Sequence, residues 1–204
     1  MDEYLVPTQF GEAEFIEKKS RFIGRVWPVE TEEEALARIQ EMKKQHYDAT
    51  HNCWAYIIRD GAVRFSDDGE PGGTAGMPIM DTLIRSETLD AIIIVTRYFG
   101  GILLGSGGLV RAYSKSASDA LSSAGVLQML PCSEIEFFVD YSRYGGIEGF
   151  VRSNSTVKNT EFLDNIRFNC LVPFDDAEGF IAEIIERTDG RSSPKIISEE
   201  YLAK

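Results

Sequence analysis

Arg97-Tyr98-Phe99-Gly100-Gly101-Ile102-Leu103-Leu104-Gly105-Ser106-Gly107-Gly108-Leu109-Val110-Arg111-Ala112-Tyr113 is the stretch on which the fold turns. Before it runs Ala91–Arg97, mostly β-branched and apolar, the pattern of a central strand buried on both faces. After it, a helical pattern runs from Leu109 to about Ala124. Glycines between a buried strand and a helix let backbone amides converge, and a helix N-terminus favours negative charge. Arg111 and Lys115 fall in the first two turns, where the helix dipole disfavours cations unless an anion offsets them. These features predict a phosphate or carboxylate pocket; the competing reading is a tight crossover whose cations face solvent. Gly100 to Gly105 has Walker spacing, but Ser106 stands where the lysine belongs, and Val110 breaks the dinucleotide fingerprint.

Working outward, Glu12–Glu17 and Ser20–Val29 read as strands. Thr31 and Glu34 form a capping box ahead of an amphipathic helix reaching about Tyr47. Asn52–Arg59 and Ala62–Asp67 flank Asp60-Gly61, which predicts a hairpin with a two-residue type I′ turn. That register sets Tyr56 opposite Phe65 on an inward face. It leaves His51, Cys53, Ala55 and Arg64 on a more polar face, with His51 near Asp68. Asp67–Gly76 is a turn-rich loop, and Pro78–Ser86 a short helix. Beyond Pro131 the order is strand Ser133–Asp140, helix Tyr144–Ser153, strands Thr156–Phe162 and Ile166–Pro173, helix Asp175–Thr188 and strand Lys195–Tyr201. That is the βαββαβ split pattern of ferredoxin-like domains. Two domains are expected, 1–130 and 131–204, in an α+β protein.

The net charge of −12 is shared evenly by the two parts, which argues against broad nonspecific DNA or RNA binding and leaves room for a local basic pocket. Cys53, Cys132 and Cys170 are odd in number and widely spaced, as in reduced thiols. No signal peptide and no span of membrane length is read, so a cytoplasmic location without membrane contact is expected. No catalytic set emerges. His51 and Cys53 at i and i+2 project in parallel, so Cys53 reads as a small buried hydrophobe rather than a nucleophile. Asp67, Asp68 and Glu70 read as carboxylates bonding local amides in a turn, with magnesium the competing reading. No metal and no cofactor is expected. Tyr98, beside the glycine loop, is the stacking candidate.

Four blocks together resemble the IMPACT/YigZ family in its bacterial two-domain form. They are Lys19–Ile23, His51–Tyr56, Ser66–Gly76 and Arg97–Tyr113, in register across about residues 15–125. The resemblance implies a first domain like the second domain of ribosomal protein S5. It implies a ferredoxin-like second domain similar to the last domain of elongation factor G. It also implies regulation of translation, with RNA, the ribosome or a translation factor as partner. The S5-like fold also hosts small-molecule kinases that hold nucleotide phosphate at a helix N-terminus, which is the enzymatic alternative. The expected binding residues are Arg21, His51, Arg64, Asp68, Glu70, Thr74, Arg97, Tyr98, Gly100, Gly101, Gly105, Ser106, Gly107, Gly108, Arg111 and Lys115.

Overall fold

The structure is a computed structural model, and it describes residues 2–204. The chain divides into two compact units, Tyr4–Gln128 and a second built from 129–204 together with Asp2 and Glu3. The first contains β1 (Tyr4–Pro7), β2 (Gly11–Glu17), β3 (Ser20–Pro28), α1 (Glu32–Gln45), β4 (His51–Ile57), β5 (Val63–Ser66), α2 (Gly76–Arg85), β6 (Ala91–Tyr98) and α3 (Ser106–Ala124). Five of these strands form an antiparallel sheet in the order β2-β3-β6-β4-β5. Strand β6 is central, and its continuous apolar run is buried because both faces are covered.

Helix α1 places Ala35, Ile39 and Met42 on one stripe, against Tyr56, Ile92 and Ile94. Alternate residues of the same strands, Cys53, Ala55, Ile93 and Val95, face the opposite way. They pack with Ile79 and Leu83 of α2 and with Leu109, Tyr113 and Ala117 of α3. Thr31 caps α1 by accepting from the Glu34 amide at 3.2 Å. The Glu34 carboxylate reaches back one residue further than a capping box requires, to the Glu30 amide at 2.8 Å.

The hairpin departs from the expected register by one residue. Ile57 pairs with Val63, Tyr56 with Arg64 and Ala55 with Phe65. Ile58 donates to the Ala62 carbonyl at 3.0 Å, closing a three-residue loop. Neither Asp60 nor Gly61 has positive φ, so the type I′ turn that fixed the expected register does not form. The face expected to be polar is the one beneath α2 and α3, and His51 therefore lies at the rim of a core. Strand β1, absent from the sequence reading, is tied in by the Leu5 amide donating to the Glu87 carbonyl at 3.0 Å.

The second unit has β7 (Val126–Val139), α4 (Tyr141–Asn154), β8 (Thr156–Phe162), β9 (Ile166–Pro173), a 3-10 turn (Phe174–Asp176), α5 (Ala177–Arg187) and β10 (Lys195–Ala203). Strand β9 lies antiparallel between β7 and β8, with β10 on the other side of β7, the split βαβ order. Pro131 is no linker: it sits inside β7 opposite Tyr201, where proline's fixed φ is compatible with a strand and only its donor is lost. Helix α4 forms despite Gly145, Gly146 and Gly149 because Ile147 and Val151 are fully buried against Phe168 and Phe180.

Candidate functional site

Strand pairing fixes the first contact. His51 of β4 lies opposite Arg97 of β6, and both project to the face shared by α2 and α3. The glycine loop after β6 can turn there because Gly100 packs directly on the Lys19 backbone, where a Cβ would collide with the Lys19 carbonyl. The Gly100 amide donates to Ser20 Oγ at 3.2 Å, and Arg97 Nη2 donates to the same oxygen at 3.5 Å. Gly105 holds φ +74° at the cap of α3, a conformation L side chains rarely adopt.

The loop after β5 is organised by its acidic residues, each in a different direction. The Asp67 carboxylate accepts from the amides of Gly73 (2.9 Å), Ala75 (3.0 Å) and Gly76 (2.8 Å), which also caps α2. Asp68 accepts from Lys43 Nζ and from the Asn52 amide, both at 2.7 Å. Glu70 turns inward, and its Oε1 accepts from Arg97 Nη1 at 2.5 Å and from the Tyr113 hydroxyl at 2.8 Å. The Glu70 and Arg97 side chains are only 3% and 6% exposed, so this is a core ion pair. Among the described residues no group of three or more His, Cys, Asp or Glu could hold a metal ion.

His51 Nδ1 lies 2.8 Å from the Asp68 carbonyl, and its Nε2 lies 3.8 Å from Glu70 Oε2. A carbonyl only accepts, so Nδ1 carries a proton and Nε2 faces Glu70. The imidazole does not engage Cys53. That thiol is pushed well up by burial and points at the Asp67 carbonyl (3.0 Å) and the Tyr113 hydroxyl (3.4 Å), so it is a protonated core group.

Two recesses flank the start of α3. The larger, about 360 Å³, is mainly apolar, with Phe99 and Leu103 among its lining side chains beside His51, Glu70, Arg97, Gly105 and Ser106. The smaller, about 150 Å³, is lined by Phe15, Glu17, Lys18, Leu104, Gly108, Arg111, Ala112 and Lys115. The expected binding residues are thus divided between two places, and several lie in neither. Arg21 pairs with Glu14 at 2.7 Å and lies over the Tyr98 ring. The Tyr98 hydroxyl is held by His46 and Asp48. Arg64 stands on the exposed edge strand β5. Asp68 and Thr74 are occupied inside the loop, Thr74 donating to the Pro71 carbonyl at 2.6 Å. Gly100, Gly101 and Gly107 shape the loop without lining either recess. Ser20 and Tyr113 were not expected to hold the Arg97–Glu70 pair, and Lys18 was not expected beside Arg111. The Lys19-Ser20-Arg21 block was visible, but its contact partner lies about eighty residues away.

A family model described as the Impact N-terminal domain matches residues 18–121, which hold all of the larger recess and most of the smaller, apart from Phe15 and Glu17. The chain belongs to the IMPACT family. A second model, a domain of unknown function, matches residues 137–191. The IMPACT family member YvyE of Bacillus subtilis strain 168 is 40% identical over 207 residues, covering all of this chain and 95% of that protein. The IMPACT family member YigZ of Escherichia coli K12 is 33% identical over 180 residues, covering 85% of this chain and 87% of its own length. A solved crystal structure described only as that of a hypothetical protein matches with a TM-score of 0.61 at 30% identity. It covers 97% of this chain and 98% of its own. Among the described residues no helix is long and apolar enough to cross a membrane.

Proposed function

We propose that this IMPACT family protein is a translation-associated regulatory binding protein that takes an RNA backbone phosphate, as on the ribosome, in the smaller recess. Family membership supports the general role, a regulator connected with translation. The observation that carries the phosphate reading is Arg111. Its guanidinium has no hydrogen-bonding or ion-pair partner among the described residues, and it lines the recess together with Lys18 and Lys115. Asp119 at 2.5 Å partly neutralises Lys115, and the Glu17 carboxylate also lines the recess, so its three cations outnumber the one carboxylate among them. Helix α3 has no side-chain cap and no acidic residue in its first turn, so its partial positive charge adds to theirs.

The recess accommodates one phosphate, and the surrounding net charge of −12 opposes a long polyanion. Recognition is therefore local. Arg111→Glu is expected to abolish co-sedimentation with ribosomes or RNA while leaving the thermal melt nearly unchanged, since Arg111 holds nothing else in place. Co-sedimentation that survives the substitution overturns the reading.

A further inference from the structure

Leu104 lines both recesses. It packs on the first turn of α3, so closely that a Cβ at Gly108 would stand 3.0 Å from the Leu104 Cβ. The partition between the recesses is therefore one side chain wide. On one side of it are Lys18, Arg111 and Lys115, and on the other an almost wholly apolar space of about 360 Å³. The polar side chains around that space serve the protein itself. Glu70 accepts from Arg97 and Tyr113, His51 Nδ1 is bonded to the Asp68 carbonyl, and Thr50 accepts from the Phe99 amide at 3.0 Å. Its occupant needs no charge of its own. The rim is apolar as well, with Phe99 45% and Leu103 81% exposed. With Ile102, 43% exposed, the loop holds three large apolar side chains out in water, a concentration that marks an interaction site. Arg97 lies over the Phe99 ring at 5.5 Å from its centre, so a guanidinium backs the ring. Tyr98, the aromatic expected to stack, has its hydroxyl held by His46 and Asp48 and lines neither recess.

We propose that the larger recess takes the base of an unpaired RNA nucleotide whose phosphate occupies the smaller one. This rests on the phosphate reading of the smaller recess. A nucleotide is a flat, uncharged ring joined through one sugar to an anion, and the protein offers an apolar space one side chain away from three cations. The base lies against Phe99 and Leu103 with its hydrogen-bonding edge toward solvent, so the site reads the presence of a free base and not its sequence. A recess of about 360 Å³ is at the small end for ligand pockets and suits a single base. A duplex presents its phosphates but keeps its bases stacked inside, so it fills the smaller recess alone. An apolar side chain of a protein partner would also fit the space, but it carries no anion at a fixed distance for Arg111 to meet.

The test is fluorescence anisotropy on the full chain at about 50 mM salt, with labelled octauridylate as the probe. A GC-rich RNA duplex of the same length and inorganic polyphosphate of about eight units serve as competitors that offer phosphate without a free base. Saturable binding of octauridylate is expected, with each competitor weaker by about tenfold or more. Phe99→Ala is expected to weaken octauridylate by about tenfold and leave polyphosphate unchanged, and Phe99→Trp to retain both. A merely structural role for Phe99 would move the two ligands together. No saturable binding of octauridylate by the unaltered protein overturns the proposal. Equal affinity for octauridylate and polyphosphate, or no effect of Phe99→Ala, also overturns it and leaves the larger recess to an apolar side chain of a protein partner. Arg111→Glu separates the two readings. Loss of every ligand with Arg111→Glu, beside no effect of Phe99→Ala, sinks the base alone; RNA and polyphosphate still bound by Arg111→Glu sink the phosphate reading and the base with it.

Discussion

In residues 4–128 the Arg97–Glu70 pair is sealed in the core, anchored by Ser20 and Tyr113 and set beside an open cavity. In residues 129–204 charges form a ladder on the outer face of a sheet. Lys158 bridges Glu134 (3.1 Å) and Glu200 (2.6 Å), and Arg167 joins Glu161 (2.6 Å) to Glu136 (3.7 Å). Apart from Glu134, whose side chain is 13% exposed, the ladder stays in water, so its charges keep most of their hydration and contribute little each. The sealed pair has lost that hydration, and the fold replaces it only in part: Ser20 and Tyr113 bond to it, while Arg97 Nε has no partner among the described residues. A buried pair adjoining a cavity is therefore the better marker of a site, and the ladder a marker of a solvated face.

The contrast is broken or sharpened first by Arg97→Met, which leaves Glu70 buried without its counter-charge. A loss of about 3–5 kcal/mol in urea denaturation is expected, and adding Glu70→Gln should recover part of it. A loss no larger than that of an ordinary surface substitution would mean the pair is not sealed. Glycines supply a second comparison. Gly100→Ala drives a methyl into the Lys19 carbonyl and is expected to cost about 1–3 kcal/mol. Gly149→Ala, in open space on exposed α4, is expected to stabilise by about 0.5–1 kcal/mol. Thermal melts of the two variants moving in the same direction would contradict this.

The smallest effect expected is that of pH. Burial holds the His46 imidazole below its ordinary value of 6.5, so the unfolded chain binds that proton more readily. Its contribution is complete above 6.5 and is lost as pH falls below it. In the second unit, the hydrogen bonds from Ser198 and then Lys158 hold the Glu134 carboxyl below its ordinary 4.5. Its contribution is complete above 4.5 and is lost only at more acid pH. His46→Gln should flatten the dependence of stability on pH near 6 and leave the acid limb in place, as followed by denaturation at a series of pH values.

Much of this was legible. The run Ala91–Val95 announced a strand covered on both faces, and the glycines after it announced the turn into α3. The loop of Asp67–Gly76 announced that its carboxylates serve local amides, which is true of Asp67. What failed was tied to long-range contact. Asp60-Gly61 suggested a turn type by local preference, but packing of Ile58 with Ala62 against the α1 side set a three-residue loop instead. The sixteen expected binding residues were gathered from adjacent motifs, but adjacency does not determine which way a side chain points. Arg97 turned into the core, Arg21 to Glu14 and Asp68 to Lys43, because each found an opposite charge within reach.

The clamp of Asp67 on three amides has a consequence for handling the protein. A decapeptide with four glycines would ordinarily be a protease's first choice, yet this one is bolted to the start of α2 and has little freedom to thread into an enzyme's cleft. Nicking should fall instead on the neighbouring span at Ile102–Leu103, whose side chains project into solvent. Cleavage there would interrupt the lining of the larger cavity at Leu103 and leave His51, Glu70 and Arg97 in their strands and loop.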